Sequence, residues 1–253
     1  MLALERQESI IDQVNRQGSV KVKDLSVMYE VTEDCIRKDL SLLEKKGALK
    51  KTYGGAVRIK ENPHMYKSID RSLYISEERM TIAKKAIRLL EENDTIFLDV
   101  SVSSIEIAKL IQISKINLTV ISNMVEVLNV LSNCSHVSMI FVGGELNDEG
   151  DGFWGTLSSQ MIKSFKIDKA FLGVVGVDYI KGQLSTYHID DGVMKNEVLK
   201  QSIISYVLCE KRKFSEYGNY VFASLEDVSG IILSKIPNES IKISLEEFNL
   251  LII

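Results

Sequence analysis

The chain has 253 residues, 45% of them hydrophobic and 26% charged, with a formal net charge of −4. A mean hydropathy of +0.03 excludes a disordered tail protein and a membrane bundle, and no apolar run approaches the roughly 20 residues of a membrane helix. Charge is uneven: residues 36–60 hold 8 Lys/Arg against 2 Asp/Glu while the remainder is acidic, so a small polyanion-binding module on a larger body is expected.

The first sixty residues carry helical spacing. Ile10, Ile11 and Val14 form one face, and Gln17-Gly18 closes that helix. A short second helix from about Lys21 turns Val22, Leu25 and Met28 inward. In VTEDCIRKDLSLLEKKG, Thr32 suits an N-cap, and Glu33 and Asp34 suit the positive end of a helix. Ile36, Leu40 and Leu43 make an apolar stripe, leaving Asp34, Arg37, Lys38 and Ser41 on the other side. Gly47 ends the helix, and ALKKTYGGAV follows as two short strands around Gly54-Gly55, with Lys50, Lys51 and Tyr53 on this wing. Stripe, basic face and basic wing coincide, as a winged helix-turn-helix requires. Arg37 and Lys38 would reach base edges or phosphates in a major groove, and Lys50 and Lys51 the flanking backbone. A three-helix protein-interaction module is the weaker alternative.

The stretch VTEDCIRKDLSLLEKKGALKKTYGGAV resembles the N-terminal signature of the DeoR family of bacterial transcription regulators. Val31, Ile36, Arg37, Asp39, Leu40, Leu43, Glu44, Gly47, Gly54, Gly55 and Ala56 match in order. Thr32 stands for Ser, Cys35 for Thr, and Lys38 for the second Arg, a change that keeps the charge and loses the bidentate fork. Within this resemblance Asp39 is expected to serve a structural ion pair or cap. The DNA-facing set is then Thr32, Asp34, Arg37, Lys38, Ser41, Lys50, Lys51 and Tyr53.

Residues 57–76 break periodicity and contain Asn62-Pro63, so the expected division is a winged domain at 1–56, a linker at 57–76 and an α/β domain at 77–253. The body alternates amphipathic helices with buried apolar runs: TIFLDV, LTVIS, VSMIFV, AFLGVV and ISYVLC, then YVFASL, IILS and LLII. Helices are expected near 82–90, 103–111, 124–131, 155–165 and 194–202. This order predicts a largely parallel sheet, with ligands at the carboxyl ends of its strands. Those ends offer Asp99, Ser101, Ser103 and Ser104, then Ser122 and Asn123, then Gly143, Gly144 and Glu145, and finally Glu210 and Lys213. Such hydroxyls, carboxylates and a lysine suit sugar hydroxyls and a phosphate.

TIFLDVSVSS, LTVISN, FVGGEL, DKAFLGVVGVD, GQLST and CEKRKF also resemble the DeoR sensor domain. That resemblance implies a fold related to ribose-5-phosphate isomerase and certain CoA-transferases, and a phosphorylated sugar or related metabolite as effector. It assigns Asp99, Ser103, Asn123, Gly144 and Lys213 to the pocket, with Lys195, after Asp191, matching a further element. Departures are specific. The family has Asp-x-Gly-Thr-Thr where this chain has Asp99-Val100-Ser101-Val102-Ser103, which removes a glycine and one hydroxyl. Glu210-Lys211-Arg212-Lys213 replaces Asp-Ser-Ser-Lys, so the pocket is expected either to take an unusual effector, a more anionic one given the extra cations, or to have lost the usual one.

Enzyme motifs such as GxxxxGK[ST], HExxH and GxSxG are missing from the sequence. A sugar-phosphate isomerase, with Asp99 or Glu210 as base, is the alternative reading, although a groove-binding domain has no place in one. Cys35, Cys134 and Cys209 are odd in number and far apart, and His64, His136 and His188 share no ligand spacing. A reducing cytoplasm, with neither metal nor cofactor, is expected. Glu5 and Arg6 stand where a signal peptide would be apolar, so export is not expected. The expected function is metabolite-controlled repression of sugar genes by a homodimer or homotetramer on a two-half-site DNA operator.

Overall fold

The computed structural model describes residues 3–57, 77–236 and 238–253. It divides into two compact units, Met1–Pro63 and His64–Ile253. The linker expected over 57–76 lies outside the described residues apart from Val57, as does His64.

The first unit runs α1 (Ala3–Gln17), β1 (Ser19–Lys21), α2 (Val22–Met28), α3 (Glu33–Lys45), β2 (Lys50–Thr52) and β3 (Gly55–Val57). Ile10, Val14, Leu25, Ile36, Leu40, Leu43 and Leu49 form its core. The wing is an antiparallel sheet of order β1-β3-β2, one strand more than the hairpin expected. Three residues are too few for β1 to show periodicity, and Val20 alone faces inward. The paired glycines do two different jobs. Gly54 takes φ +85° in the turn, and a Cβ on Gly55 would stand 2.0 Å from the Val20 carbonyl oxygen.

Met28 is a correction: it is 58% exposed rather than inward. Six residues advance a helix by about 600°, so Met28 points about 120° away from Val22. Tyr29 fills that inner position instead and donates its hydroxyl to Ser9 Oγ at 2.8 Å.

The second unit begins with α4 (Glu77–Ile87), β4 (Thr95–Leu98), α5 (Val102–Ile113), β5 (Leu118–Ser122), α6 (Val125–Leu131) and β6 (Val137–Phe141). A hairpin follows, β7 (Glu145–Leu146) and β8 (Phe153–Trp154), then α7 (Thr156–Ile162) and β9 (Ile167–Gly173). Next come β10 (Gly176–Asp178), β11 (Gln183–Thr186), α8 (Ile189–Gln201), β12 (Ser202–Cys209) and a 3-10 turn at Lys211–Ser215. The described chain ends with β13 (Tyr220–Ser224), β14 (Gly230–Leu233), α9 (Glu239–Glu246) and β15 (Leu251–Ile252).

Seven strands form one sheet in the order β15-β14-β12-β9-β4-β5-β6, parallel at each described pairing. Apolar clusters lie on its two faces, one around Ile82, Ile105 and Leu131, the other around Phe97, Leu172 and Val198. From β4 the chain adds β5 and β6 on one side. It then crosses to place β9, β12, β14 and β15 on the other. The connections leaving β4 and β9 therefore diverge, opening a crevice at their carboxyl ends.

YVFASL is not part of this sheet. It is β13, paired with β11 in a small antiparallel sheet of order β10-β11-β13. α8 also starts earlier than expected, because its first turn is Asp190-Asp191-Gly192 and shows no apolar stripe. Among the described residues no helix is long and apolar enough to cross a membrane.

Candidate functional site

Each unit presents one surface with chemistry. In the first, Thr32 caps α3, its hydroxyl accepting the Cys35 N–H at 3.3 Å. Arg37 stands exposed on the outer face, its guanidinium held by Glu33 at 2.6 Å and Asp34 at 2.8 Å. Lys38, Lys50 and Tyr53 are exposed beside it in sequence and on the wing. Ser41 is half-buried; its hydroxyl donates to the Arg37 carbonyl at 2.7 Å and accepts from Lys51 Nζ at 2.8 Å. Lys51 also donates its backbone N–H to Glu44, so the wing is stitched to α3. Asp39 points the other way. It is buried and accepts from Arg6 Nε at 2.7 Å and Gln7 Nε2 at 2.9 Å, and its hydrogen bond holds the Arg6 guanidinium above its ordinary pKa. The thirteen residues of α3 thus expose cations on one face and anchor the other in the core. A helix of this diameter, about 10–12 Å, matches the width of a DNA major groove, about 12 Å.

In the second unit the crevice beside β4 and β9 is lined by two sets of side chains. One set is Thr186, Asp191 and Lys195. Lys195 Nζ bonds to Asp191 and stands 3.0 Å from Asp99 Oδ2, and Thr186 donates its hydroxyl to Asp191 at 2.5 Å. Burial alone would lower the Lys195 pKa, but the two carboxylates override it and hold it above the ordinary value. Asp99 shares one cation with a second carboxylate, and burial pushes its carboxyl upward. The other set is Arg79, Glu210, Arg212 and Lys213, and Ser101 and Ser103 line the crevice as well. Arg79 and Arg212 each stand 3.2 Å from Glu210 Oε1, and Arg212 and Lys213 both reach Glu216. Burial and the neighbouring Arg212 depress the Lys213 pKa.

Two family models match this chain: the DeoR-like helix-turn-helix domain over residues 6–62 and the DeoR C terminal sensor domain over 75–235. The chain belongs to the DeoR family. It is 33% identical to the uncharacterized HTH-type transcriptional regulator YulB of Bacillus subtilis, over 92% of this chain and 89% of that one. It is 29% identical to a lactose phosphotransferase system repressor of Staphylococcus epidermidis, over 90% of each chain. Among solved structures, ribose 5-phosphate isomerase A of Methanocaldococcus jannaschii is 14% identical over 53% of this chain and 52% of that one, with a TM-score of 0.40.

The DeoR sensor signature reads differently once folded. Ser101, Ser103, Lys195 and Lys213 line the cleft. Asp99 lies behind it, 2% exposed, accepting the Gly173 N–H at 2.9 Å and the Ser104 hydroxyl at 3.1 Å. Ser104 is fully buried. Ser122 is fully buried, its hydroxyl donating to the Leu98 carbonyl and accepting the Met124 N–H. Asn123 donates to the Phe153 carbonyl, tying β5 to the hairpin, and does not line the cleft. Gly143 and Gly144 lie at the base of that hairpin, where a Cβ on Gly144 would stand 2.0 Å from Ser158 Oγ. Close packing against Ser158 and the Trp154 carbonyl leaves no room for a side chain at that position.

The missing family glycine causes no strain. Ser101 is extended at φ −149° and caps α5 by accepting the Ser104 N–H at 3.1 Å. The glycine needed is across the crevice: a Cβ on Gly173 would meet Ser101 Cβ at 2.5 Å. Arg212, one of the extra cations of the sequence, is engaged by Glu210 and Glu216. Arg79 and Thr186 also line the cleft, and no sequence motif marks either as a site residue. Arg79 did leave a signal, since it shares the apolar stripe of Ile82, Ala83 and Ala86 on α4 and a cation there needs a buried partner.

Burial would raise the Glu210 carboxyl, yet Arg212 and Arg79 hold it below the ordinary 4.5. A lowered folded value contributes stability above pH 4.5 that is lost as pH falls through that value. Glu210→Gln is therefore expected to flatten the acid limb of the urea midpoint plotted against pH. An unchanged slope would show that the carboxylate is equally protonated in both states.

Proposed function

We propose that this DeoR-family regulator represses sugar-metabolism genes from the cytoplasm, as a homodimer or homotetramer on a two-half-site operator, and leaves it when a phosphorylated sugar enters the sensor cleft. The two-ended lining of that cleft carries the effector reading. At one end Asp191, Lys195 and Thr186 offer acceptors and donors suited to hydroxyls. At the other Arg79, Arg212 and Lys213 gather around Glu210 and Glu216, and the N-terminal turn of α5, where backbone N–H groups favour an anion, lines the same cleft. A polyol with a phosphate at one end matches both. Repressors among the relatives, one named for a lactose phosphotransferase system, support the sugar context. A binding role for the cleft, rather than isomerisation, is supported by the regulator names of the relatives.

Ligand alters operator affinity only if the DNA-competent and incompetent arrangements bind it unequally. On the DNA side, Arg37→Ala is expected to lower operator affinity by about 1–3 kcal/mol while sparing random DNA. Its ion pairs to Glu33 and Asp34 are exposed and exchange readily for a base or phosphate. Lys50→Ala should instead weaken all sequences alike and reduce the salt dependence. Fluorescence anisotropy at several salt concentrations separates the two, and an Arg37→Ala protein with full operator affinity would rule out this docking of α3.

A further inference from the structure

Arg79 sits in the first turn of α4, is 9% exposed, and lines the sensor cleft. Its Nε stands 3.2 Å from Glu210 Oε1, the same oxygen that Arg212 approaches at 3.2 Å. The preceding residue, Glu78, accepts the Lys211 N–H at 3.1 Å. Two consecutive side chains of α4 therefore hold two consecutive residues just past β12, Glu78 by a hydrogen bond and Arg79 by an ion pair. α4 is also the first described element after the wing, and residues 58–76 join it to β3.

Ser103, Lys213 and Glu210 all line the cleft, so an anion held there by Lys213 would share it with Glu210, a like charge in a largely buried setting. Repulsion there favours a change of partner. A guanidinium fork suits a phosphoryl group as well as it suits a carboxylate, so Arg79 can pass from one to the other without losing a charged acceptor. Arg212 and Lys213, both paired with Glu216, stand at the same end and can share an entering anion with Arg79.

We propose that Arg79 is the residue that senses cleft occupancy: a phosphoryl group takes its guanidinium from Glu210 and releases the grip of the first turn of α4 on the end of β12. This rests on the cleft being the effector site and adds to it a ligand contact and a route by which binding reaches the chain leading to the wing. The ion pair is the two-state element, and the ligand biases it by direct contact.

Hydrogen–deuterium exchange on the full chain tests this, with inorganic phosphate compared against chloride at equal ionic strength. In the wild type, phosphate should slow exchange at Ser103 and speed it at Thr81 to Ala83 by about threefold or more. Arg79→Gln should exchange fast at Thr81 to Ala83 without phosphate and show no further change. Glu210→Gln, which removes the competitor and keeps Arg79, should bind phosphate about threefold more tightly or better. Protection of α5 in every variant with α4 unmoved would overturn the sensing role and leave the effector cleft standing. No phosphate effect at α5 in any variant would remove both. If Arg79→Gln fails to fold, the Glu210→Gln comparison still decides, because equal phosphate affinity there excludes the exchange of partners.

Discussion

Lys195→Met will destabilise the sensor unit by about 3–5 kcal/mol, the range for breaking a buried ion pair from one side. Lys195 is 4% exposed and stands between Asp99 and Asp191, so its loss strands two carboxylates in the crevice wall. Methionine fills much of the volume, so the loss reports charge rather than a cavity. A domain of ordinary stability, about 5–15 kcal/mol, survives at reduced midpoint. Urea unfolding followed by circular dichroism measures it. The pH dependence distinguishes the cause. Burial already raises the Asp99 pKa in the folded chain. Without Lys195 the folded state takes up protons more readily than the unfolded one. Stability of the variant should therefore recover as pH falls from 7 toward the carboxylate range. Adding Asp191→Asn should restore part of the loss, a non-additivity expected for groups in contact. A variant within about 1 kcal/mol of wild type at neutral pH would mean that the carboxylates find other partners or water.

Asp39→Ala is expected to unfold the winged unit while the sensor unit stays folded. Asp39 satisfies two buried donors on α1, Arg6 and Gln7. Alanine leaves a guanidinium without its carboxylate, at a cost of about 3–5 kcal/mol. The winged unit has a small core, Ile10, Leu25, Ile36, Leu40 and Leu43 among its members, and small domains have little stability to lose. DNA binding should be lost at every salt concentration, with phosphate binding unchanged. Arg6→Met combined with Asp39→Leu should restore folding, because an apolar pair removes both the stranded charge and its partner. Retention of full DNA affinity by Asp39→Ala would show that the pair contributes nothing to the position of α3.

Most of the winged unit was legible in the sequence, because its features are local. Helical spacing set Ile36, Leu40 and Leu43 inward and Arg37 and Lys38 outward, and both glycines of the wing lie where backbone geometry demands them. Met28 failed only because a three-residue step was repeated once too often. The sensor unit was legible as alternating strands and helices. Its small antiparallel sheet was not, since β10 and β11 are three and four residues long, and β11 pairs through a bulge at Leu184 and Ser185 with β13, more than thirty residues away.

What the sequence determined by itself was therefore the kind of molecule: a cationic helix and wing joined to a parallel α/β body, with polar residues after the strands. Only the tertiary structure decided which of those polar residues meet. Strand order brought β4 beside β9, so Asp99 turned to the Gly173 N–H and Lys195, while Ser122, Asn123 and Gly144 were drawn into packing elsewhere. It also carried Arg79 to Glu210, 131 positions along the chain. Periodicity fixes which face of an element is buried. Which buried charges become neighbours depends on sheet order, and no local pattern of residues records it.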